Sequence, residues 1–417
     1  MPRVSVIVTC HNFERYLEAC LDSIARQTFG DVEAVVVDNN STDRSRDVAQ
    51  AFAARDTRFQ LIHEPRQGVH HALEAGITAA RGELLLLLDG DDVYEPTRVG
   101  RTIACFDATQ AEVVACNGQR IDADGRREEP FESYDHSGEL FPAVACQYNP
   151  VWTVSFLAFR APVLKGWCPL PACCSRILDW HFLLSTFEDG RRLALLDEPL
   201  VLKRYHGRNL AFDVEATELQ AIPRLAAFMA RYAPVRDVYG ARDRSRLLTT
   251  RYIRAFEAMR RAGRWASIPN YLIDHAGADG IREDVQRFAR AVAWYHLDRQ
   301  AFVREARSRD SAHPLWQFVG GLAAIELGDA AGAARSFELA YVRPLRRFAE
   351  AMNSWGVAMA RVDAPRSVRV LEELVRRCPD YRDARLNLEF VRRGRYADCR
   401  HTVCLRPETL HALADVP

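Results

Sequence analysis

The sequence is poor in lysine. Of its 56 basic side chains only Lys165 and Lys203 are lysines, and the rest are arginine, a bias that a GC-rich bacterial genome explains without any chemistry. Net charge is also missing, because 56 acidic side chains match the basic ones. A neutral chain has no overall field to draw it to nucleic acid or to an anionic membrane, so no nucleic-acid partner is expected. No apolar run approaches the ~20 residues that span a bilayer, so no transmembrane segment is expected. Met1-Pro2-Arg3 leads directly into a short apolar stretch with no room for the apolar region of a signal peptide. A cytoplasmic location follows as an expectation. The eleven cysteines contain no C-x-x-C pair. The groupings Cys168, Cys173, Cys174 and Cys399, His401, Cys404 match no zinc spacing, and free thiols in a reducing compartment fit them better. Glycine is lacking where two nucleotide-binding classes would need it. "TCHNFERY" (9–16) has none, which disfavours a dinucleotide-dependent dehydrogenase and a nucleotidyltransferase with a glycine-rich loop.

What is present is an alternation of two periods over the first ~115 residues. "VSVIVT" (4–9), "VEAVVVD" (32–38), "FQLIHE" (59–64) and "ELLLLLD" (83–89) read as strands. Between them, 13–27, 41–56 and a segment from Gly68 closed by Gly82 read as helices. Strands apolar on both faces that alternate with helices predict an α/β unit with a Rossmann-like, mostly parallel sheet covered on both sides. From about 112 to 204 the pattern is mixed: a strand and a return around Asp124-Gly125, a strand over 152–160, a helix over 177–190, and two short strands broken at Pro199. Beyond about 213 everything reads as helix. "WQFVGGLAAIELGDAAGAARSFELAYVRP" (316–344) is similar to "MNSWGVAMARVDAPRSVRVLEELVRRCP" (352–379), and Asn353 and Asn387 stand 34 residues apart. A period of about 34 with two helices per unit resembles the tetratricopeptide family over roughly 312–392. Gly321, Ala333 and Ala340 would sit at close helix approaches, with Phe337 filling the space between. The Arg346-Arg347, Arg376-Arg377 and Arg392-Arg393 pairs could stack into a basic stripe. The division expected is 1–213 for the α/β unit and 214–417 for an all-helical one.

Five leucines run into "DGDDVYEP". At the carboxyl ends of parallel strands, where ligands bind, Asp38 closes the second strand and Asp89 the fourth. Asp89 and Asp91, two apart, could face the same way across Gly90, which permits the turn and a close backbone approach. Carboxylates gathered there suit a hard divalent cation whose shell is completed by substrate phosphates. The simpler reading is a polar turn, with Asp92 or Thr97 capping a helix begun near Pro96.

The motifs "VSVIVTCHNFERYLEACLDSI", "VVVDNNSTDRS", "GVHHALEAGITAARGELLLLLDGDD", "ILDW" and "YHGRN" together resemble the inverting, family-two nucleotide-sugar glycosyltransferases of GT-A fold, over about residues 3–210. The resemblance implies that Thr9, His11 and Glu14 line the nucleotide pocket, that Asp38 accepts a hydrogen bond from the base, and that Arg66 lies near the base or the diphosphate. It also implies that Asp89, with Gly90, faces the ribose or sugar, that Asp91 binds Mn2+ or Mg2+ with help from His206, and that Asp179 is the catalytic carboxylate. Asn39 and Asn40 depart from the usual Asp-Gly pattern and leave UDP- and dTDP-sugars both open. Leu73-Glu74 and Leu178 depart from the family too. For Asp179 the competing reading is a carboxylate at a helix start, and for His206 a hydrogen-bonded surface histidine. Trp152, Trp167 and Trp180 could stack on sugar or pack in the core. The acceptor implied is a carbohydrate, lipid-linked or protein hydroxyl. The helical half would bind acceptor or form a homodimer. The alternative is a catalytically inactive tetratricopeptide scaffold.

Overall fold

The computed structural model describes residues 1–131, 142, 145–146, 149–210, 213–238, 241–264, 282–307, 313–342 and 349–402. The chain divides into two compact units, Met1–Gly240 and Ala241–Pro417.

The first unit begins with β1 (Val4–Cys10), α1 (Leu17–Ala25), β2 (Val32–Asp38), α2 (Ser45–Arg55), β3 (Phe59–His63), α3 (Val69–Ala79) and β4 (Leu84–Asp89). These four strands are parallel in the order β3-β2-β1-β4. Every residue of β1 and β2 is buried, as are all five leucines of β4. Removing a leucine side chain from water contributes roughly 1.5–3 kcal/mol, so β4 is anchored along its length by burial alone. Register then fixes the site: β1 sets Cys10 opposite Asp38 on one side and Thr9 opposite Asp89 on the other. Both aspartates therefore stand at one edge of the sheet.

The second half departs from the expected parallel sheet. β5 (Val93–Tyr94), α4 (Arg98–Thr109), β6 (Val113–Ile121), β7 (Arg127–Pro130), β8 (Leu157–Arg160), α5 (Ala161–Gly166), α6 (Leu178–Glu188) and β9 (Leu193–Arg204) follow in order. The full order is β3-β2-β1-β4-β8-β6-β9-β5, with β7 on β6. β8 runs antiparallel to both β4 and β6, while β9 is parallel to β6 and antiparallel to β5. The sheet is mixed rather than mostly parallel, because the strand–helix alternation that enforces parallel pairing stops at α4. A mixed sheet with flanking helices fits GT-A.

Three local expectations are corrected. α3 stops at Ala79, and Gly82 is not its cap: a Cβ there would lie 2.5 Å from the Ser5 backbone nitrogen, so Gly82 lets the chain pass close to β1. The strand expected over 152–160 is only β8, because Val154–Phe156 forms a short 3-10 turn in which Thr153 accepts from the Ser155 N–H. Pro199 does not break β9. The register slips at Asn117, which pairs with Pro199, and that irregularity absorbs the missing N–H. Thr97 precedes α4 but makes no side-chain cap. Two further helices, α7 (Val214–Arg231) and α8 (Ala233–Val238), complete this unit.

The described residues of the second unit are helical: α9 (Ala241–Arg261), α10 (Glu283–Leu297), α11 (Arg299–Arg307), α12 (Pro314–Glu326), α13 (Ala330–Val342), α14 (Ala349–Met359), α15 (Ala364–Arg377) and α16 (Arg382–Arg392). Small residues set the helix approaches. A Cβ on Gly321 would lie 2.6 Å from the Phe337 ring, and one on Gly356 2.7 Å from Leu371. Ala333, Ala340 and Phe337 are fully buried. Among the described residues the arginine pairs are neutralised by neighbouring acids: Glu373 holds both Arg376 and Arg377, Glu372 holds Arg392 and Glu389 holds Arg393. Arg346-Arg347 lies outside the described residues. Among the described residues, no helix of either unit is long and apolar enough to cross a membrane.

Gly118 of β6 shows how tightly the site's supports are packed. A Cβ there would lie 2.4 Å from the Phe156 ring and 2.6 Å from the Val201 carbonyl. Gly118→Ala is expected to cost about 1–3 kcal/mol by overpacking and to lower the calorimetric melting temperature. An unchanged melting temperature would contradict this packing.

Candidate active site

The site is built where β4 leaves the core. Oxygens of Asp89, Asp91 and Asp92 all lie within 4.8 Å of one another. At an effective dielectric of about 20, charges ~5 Å apart repel by about 3 kcal/mol and charges ~3 Å apart attract by about 5. One cation touching two carboxylates therefore outweighs their mutual repulsion, and the chain supplies it. The Lys203 ammonium on β9 is 3.3 Å from Asp89 and 3.2 Å from Asp92. Its side chain is only 13 % exposed.

The three acids differ in their surroundings. Asp92 is fully buried and accepts from Ser155 Oγ at 2.7 Å and from the Arg204 N–H at 3.0 Å. Burial pushes its carboxyl up to about 7, against the pull of Lys203. It is a structural carboxylate that ties β9 and the 3-10 turn to the end of β4, more than the simple turn residue expected. Asp89 is half-buried. It accepts from Thr153 Oγ1 at 2.8 Å and from Thr9 Oγ1 at 3.4 Å, and its own N–H donates to Ser155 Oγ at 3.0 Å. Asp91 meets His206 Nε2 at 2.9 Å and Asn209 Nδ2 at 3.4 Å, both through Oδ2. Burial raises its pKa, but Lys203 and His206 outweigh this and hold it below the ordinary carboxylate value.

His206 is fixed from three sides. Its side chain is 3 % exposed and stacks on Tyr16 with ring centroids 4.9 Å apart. The Arg208 N–H donates to Nδ1 at 3.2 Å, so in the neutral ring the proton is on Nε2 and is donated to Asp91. His206 as arranged thus orients Asp91. A direct bond from Nε2 to an ion would require it to give up that contact.

Along the neighbouring strand ends, Asp38 is buried, accepts from the Ser41 N–H at 3.2 Å and pairs with His63 Nδ1 at 3.2 Å. Asn39 does not face outward as a base-reading residue would. Its amide donates to the Glu64 and Arg66 carbonyls and accepts from the Gly68 N–H. His11 Nδ1 donates to the Asn39 carbonyl at 2.9 Å. Arg66 is exposed, and its guanidinium is forked onto Glu64 at 2.9 Å. Glu14 is exposed and accepts from the Arg44 N–H at the head of α2 at 2.9 Å. Gly90 has no positive φ. It lies in the turn that the Asp92 N–H closes onto the Asp89 carbonyl at 2.9 Å, and a Cβ there would come within 2.9 Å of the Thr9 carbonyl and 3.2 Å of Phe13, so close packing against β1 also calls for glycine.

Asp179 sits in the first turn of α6, where its Oδ1 accepts from the Trp180 N–H at 2.8 Å. It keeps some surface yet is densely surrounded, and that burial, with Asp89 nearby, pushes its carboxyl up to about 7. Trp180 is buried, and the partly buried Trp167 packs against Phe159 and Phe182. Trp152 is exposed and stacks on Phe131.

Lys203, Thr153, Ser155 and Asn209 were not found from sequence. Lys203 carried a signal: one of two lysines, it stands in the apolar run "LVLKRY", and a lysine in a buried strand needs an acidic partner. Carboxylate oxygens clustered with a histidine beside them are a donor set that suits Mg2+ or Mn2+. Because Lys203 already occupies Asp89 and Asp92, Asp91 is the member best placed to hold an ion. Cys404 lies outside the described residues, and every other cysteine is a free thiol.

Residues 5–165 match Glycosyl transferase family 2. The chain is 30% identical over 217 residues to the uncharacterized glycosyltransferase EpsJ of Bacillus subtilis, covering 50% of this chain and 63% of that protein. It is 32% identical over 213 residues to the uncharacterized glycosyltransferase alr2836 of Nostoc sp., covering 50% and 66%. It thus spans just under two thirds of each relative. Among solved structures, S. aureus TarS 1–349 in complex with UDP-GlcNAc aligns with a TM-score of 0.49 at 17% identity, over 82% of this chain and 91% of that one.

Proposed function

We propose that the first unit is a metal-dependent, inverting glycosyltransferase that moves a sugar from a UDP- or dTDP-sugar to a hydroxyl of a carbohydrate, lipid-linked or protein acceptor. The observation that carries this reading is the convergence at one sheet edge of Asp38, Asp89 and Asp91 with a fourth carboxylate, Asp179, whose pKa is raised to about 7. In this reading Asp38 accepts from the base, with His11 and Thr9 shaping that wall and Glu14 and Arg66 on the rim. Asp89, held by Thr153 and Lys203, presents its carboxylate to the ribose or sugar. A divalent cation held by Asp91, with His206 orienting it, would supply charge neutralisation to the diphosphate. Asp179 removes the proton from the acceptor hydroxyl. That oxygen attacks the anomeric carbon from the face opposite the nucleoside diphosphate, which departs with the bonding electron pair, so the configuration inverts.

The second unit supports a tetratricopeptide-like reading through its paired helices, its Gly321–Phe337 and Gly356–Leu371 approaches, and the 34-residue spacing of Asn353 and Asn387. Such stacks present extended binding surfaces. We assign it to acceptor binding or to homodimer formation.

Two outcomes test the enzyme reading. In a thermal-shift screen with Mn2+, one nucleotide sugar is expected to raise the melting temperature by mass action and to be hydrolysed slowly. A chain that neither binds nor turns over any donor would sink it. For Asp179, a base must be ionised to work, and its pKa stands near 7 instead of the ordinary 3.8. kcat/KM should therefore fall about tenfold per pH unit below 7 and level off above it. Asp179→Asn should keep donor binding, lose transfer by about 10²–10⁴-fold and flatten that profile. A variant with the wild-type rate and profile would remove Asp179 from the chemistry.

A further inference from the structure

The short stretch from Asn149 to Thr153 joins the two ends of the proposed chemistry. At one end Asn149 donates a side-chain hydrogen bond to Asp179. At the other, Thr153 Oγ1 donates to Asp89 at 2.8 Å. These anchors stand four residues apart, a path of at most about 14 Å. Between them Pro150 and Val151 are buried, and the Val151 N–H donates to Asn149 Oδ1 at 3.1 Å. Trp152 breaks the pattern, because it stays 37 % exposed.

Its indole is nevertheless held in place. It stacks on Phe131, with ring centroids 5.2 Å apart and planes at 29°. Phe131 is itself buried, meets Phe156 edge-on at 5.5 Å, and donates its N–H to the Gly118 carbonyl at 3.1 Å. The Arg120 guanidinium lies 5.1 Å from the Phe131 ring centre, and Arg120 is the register partner of Lys203. The stack therefore borders the acidic cluster. An aromatic ring that is already fixed and partly open loses little freedom when a ligand covers it.

We propose that Trp152 is the platform of an acceptor subsite, and that the acceptor hydroxyl belongs to a hexopyranose ring stacked on it. The proposal rests on the transferase reading of Asp89 and Asp179 and narrows its acceptor to a carbohydrate.

Three observations carry it. First, in an inverting transfer the attacking oxygen lies between the general base and the anomeric carbon. Here that is between Asp179 and a donor sugar beside Asp89, and the stretch carrying Trp152 is tied to both. Second, an aromatic face is the negative part of the ring's quadrupole. A pyranose offers it a face of carbon-bound hydrogens and keeps its hydroxyls around the rim, so a sugar lying flat on the indole can still direct one hydroxyl at Asp179. Third, the surroundings do not suit a lipid chain, which needs a continuous apolar surface. Among the described residues of this unit, the other exposed large apolar side chains are Met1 and Leu210. Met1 precedes β1 and so stands at the opposite edge of the sheet. A lipid-linked glycan would still bring a sugar ring, not its chain, to Trp152.

Ligand-detected saturation-transfer NMR on the full chain, with Mg2+ and UDP present, tests this. The probes are the methyl α- and β-hexopyranosides of gluco, galacto and manno configuration at millimolar concentration. At least one should receive transfer, most strongly at the ring protons of one face. Trp152→Phe should retain it, and Trp152→Ala should weaken binding by about tenfold or more, as loss of an aromatic anchor does. Circular dichroism reports whether each variant is folded. Trp152→Leu, which keeps apolar bulk without the aromatic face, decides the matter if the alanine variant does not fold. The UDP signal on the unmodified chain separates the two claims. No transfer to UDP would sink the transferase reading and the subsite with it. Transfer to UDP but to none of the glycosides would overturn the platform alone, whatever the variants do. So would a folded alanine or leucine variant that holds the glycoside as tightly as the unmodified chain.

Discussion

One ammonium group makes the site of the first unit tenable. β4 is driven into the core by five leucines and ends in three carboxylates within 4.8 Å of one another. Left alone, they would repel one another and force the strand end apart. Lys203 crosses from β9 to hold Asp89 and Asp92 together. Ser155 and Thr153 complete the arrangement from the 3-10 turn ahead of β8. The mixed half of the sheet thus serves the parallel half: β8 and β9 deliver the groups that stabilise what β4 brings out. Removing one member of such a partly buried network leaves uncompensated charge, and the cost exceeds the worth of any single contact.

The same neutralisation divides the roles of the acids. With Asp92 locked as an internal brace and Asp89 tied to lysine and threonine, Asp91 differs in meeting a histidine and an asparagine through one oxygen. The stacked Tyr16–His206 pair fixes that histidine. Asp179 reaches the cluster from α6, and its raised pKa matches what a proton acceptor near neutral pH requires.

Much of this was legible in the sequence, for reasons that can be named. β1, β2 and β4 are apolar on both faces, and such strands alternating with helices are typical of a covered parallel sheet. Their carboxyl ends therefore had to share an edge, and Asp38 and Asp89 had to meet there. The repeat period marked the close helix approaches at Gly321 and Phe337. What was not legible depended on contacts distant in sequence. Lys203 lies 114 residues from Asp89, and no local pattern pairs them. The antiparallel entry of β8 is set by the whole sheet. Gly82 stands where a helix cap is expected but is a glycine because β1 passes too close for a side chain, and at Gly90 the same close approach adds to the turn. Asn39 was read as a departure bearing on base choice, yet it fastens the loop before α3.

The central claim is that the lysine-neutralised cluster leaves Asp91 to hold the ion. Electron paramagnetic resonance titration of Mn2+ in the presence of UDP, with the unmodified chain and with Asp91→Asn, tests it directly. A bound ion is expected, with an affinity that drops in the variant by more than the about 10–100-fold typical of losing an outer-shell partner. Equal Mn2+ binding by the two proteins would contradict it.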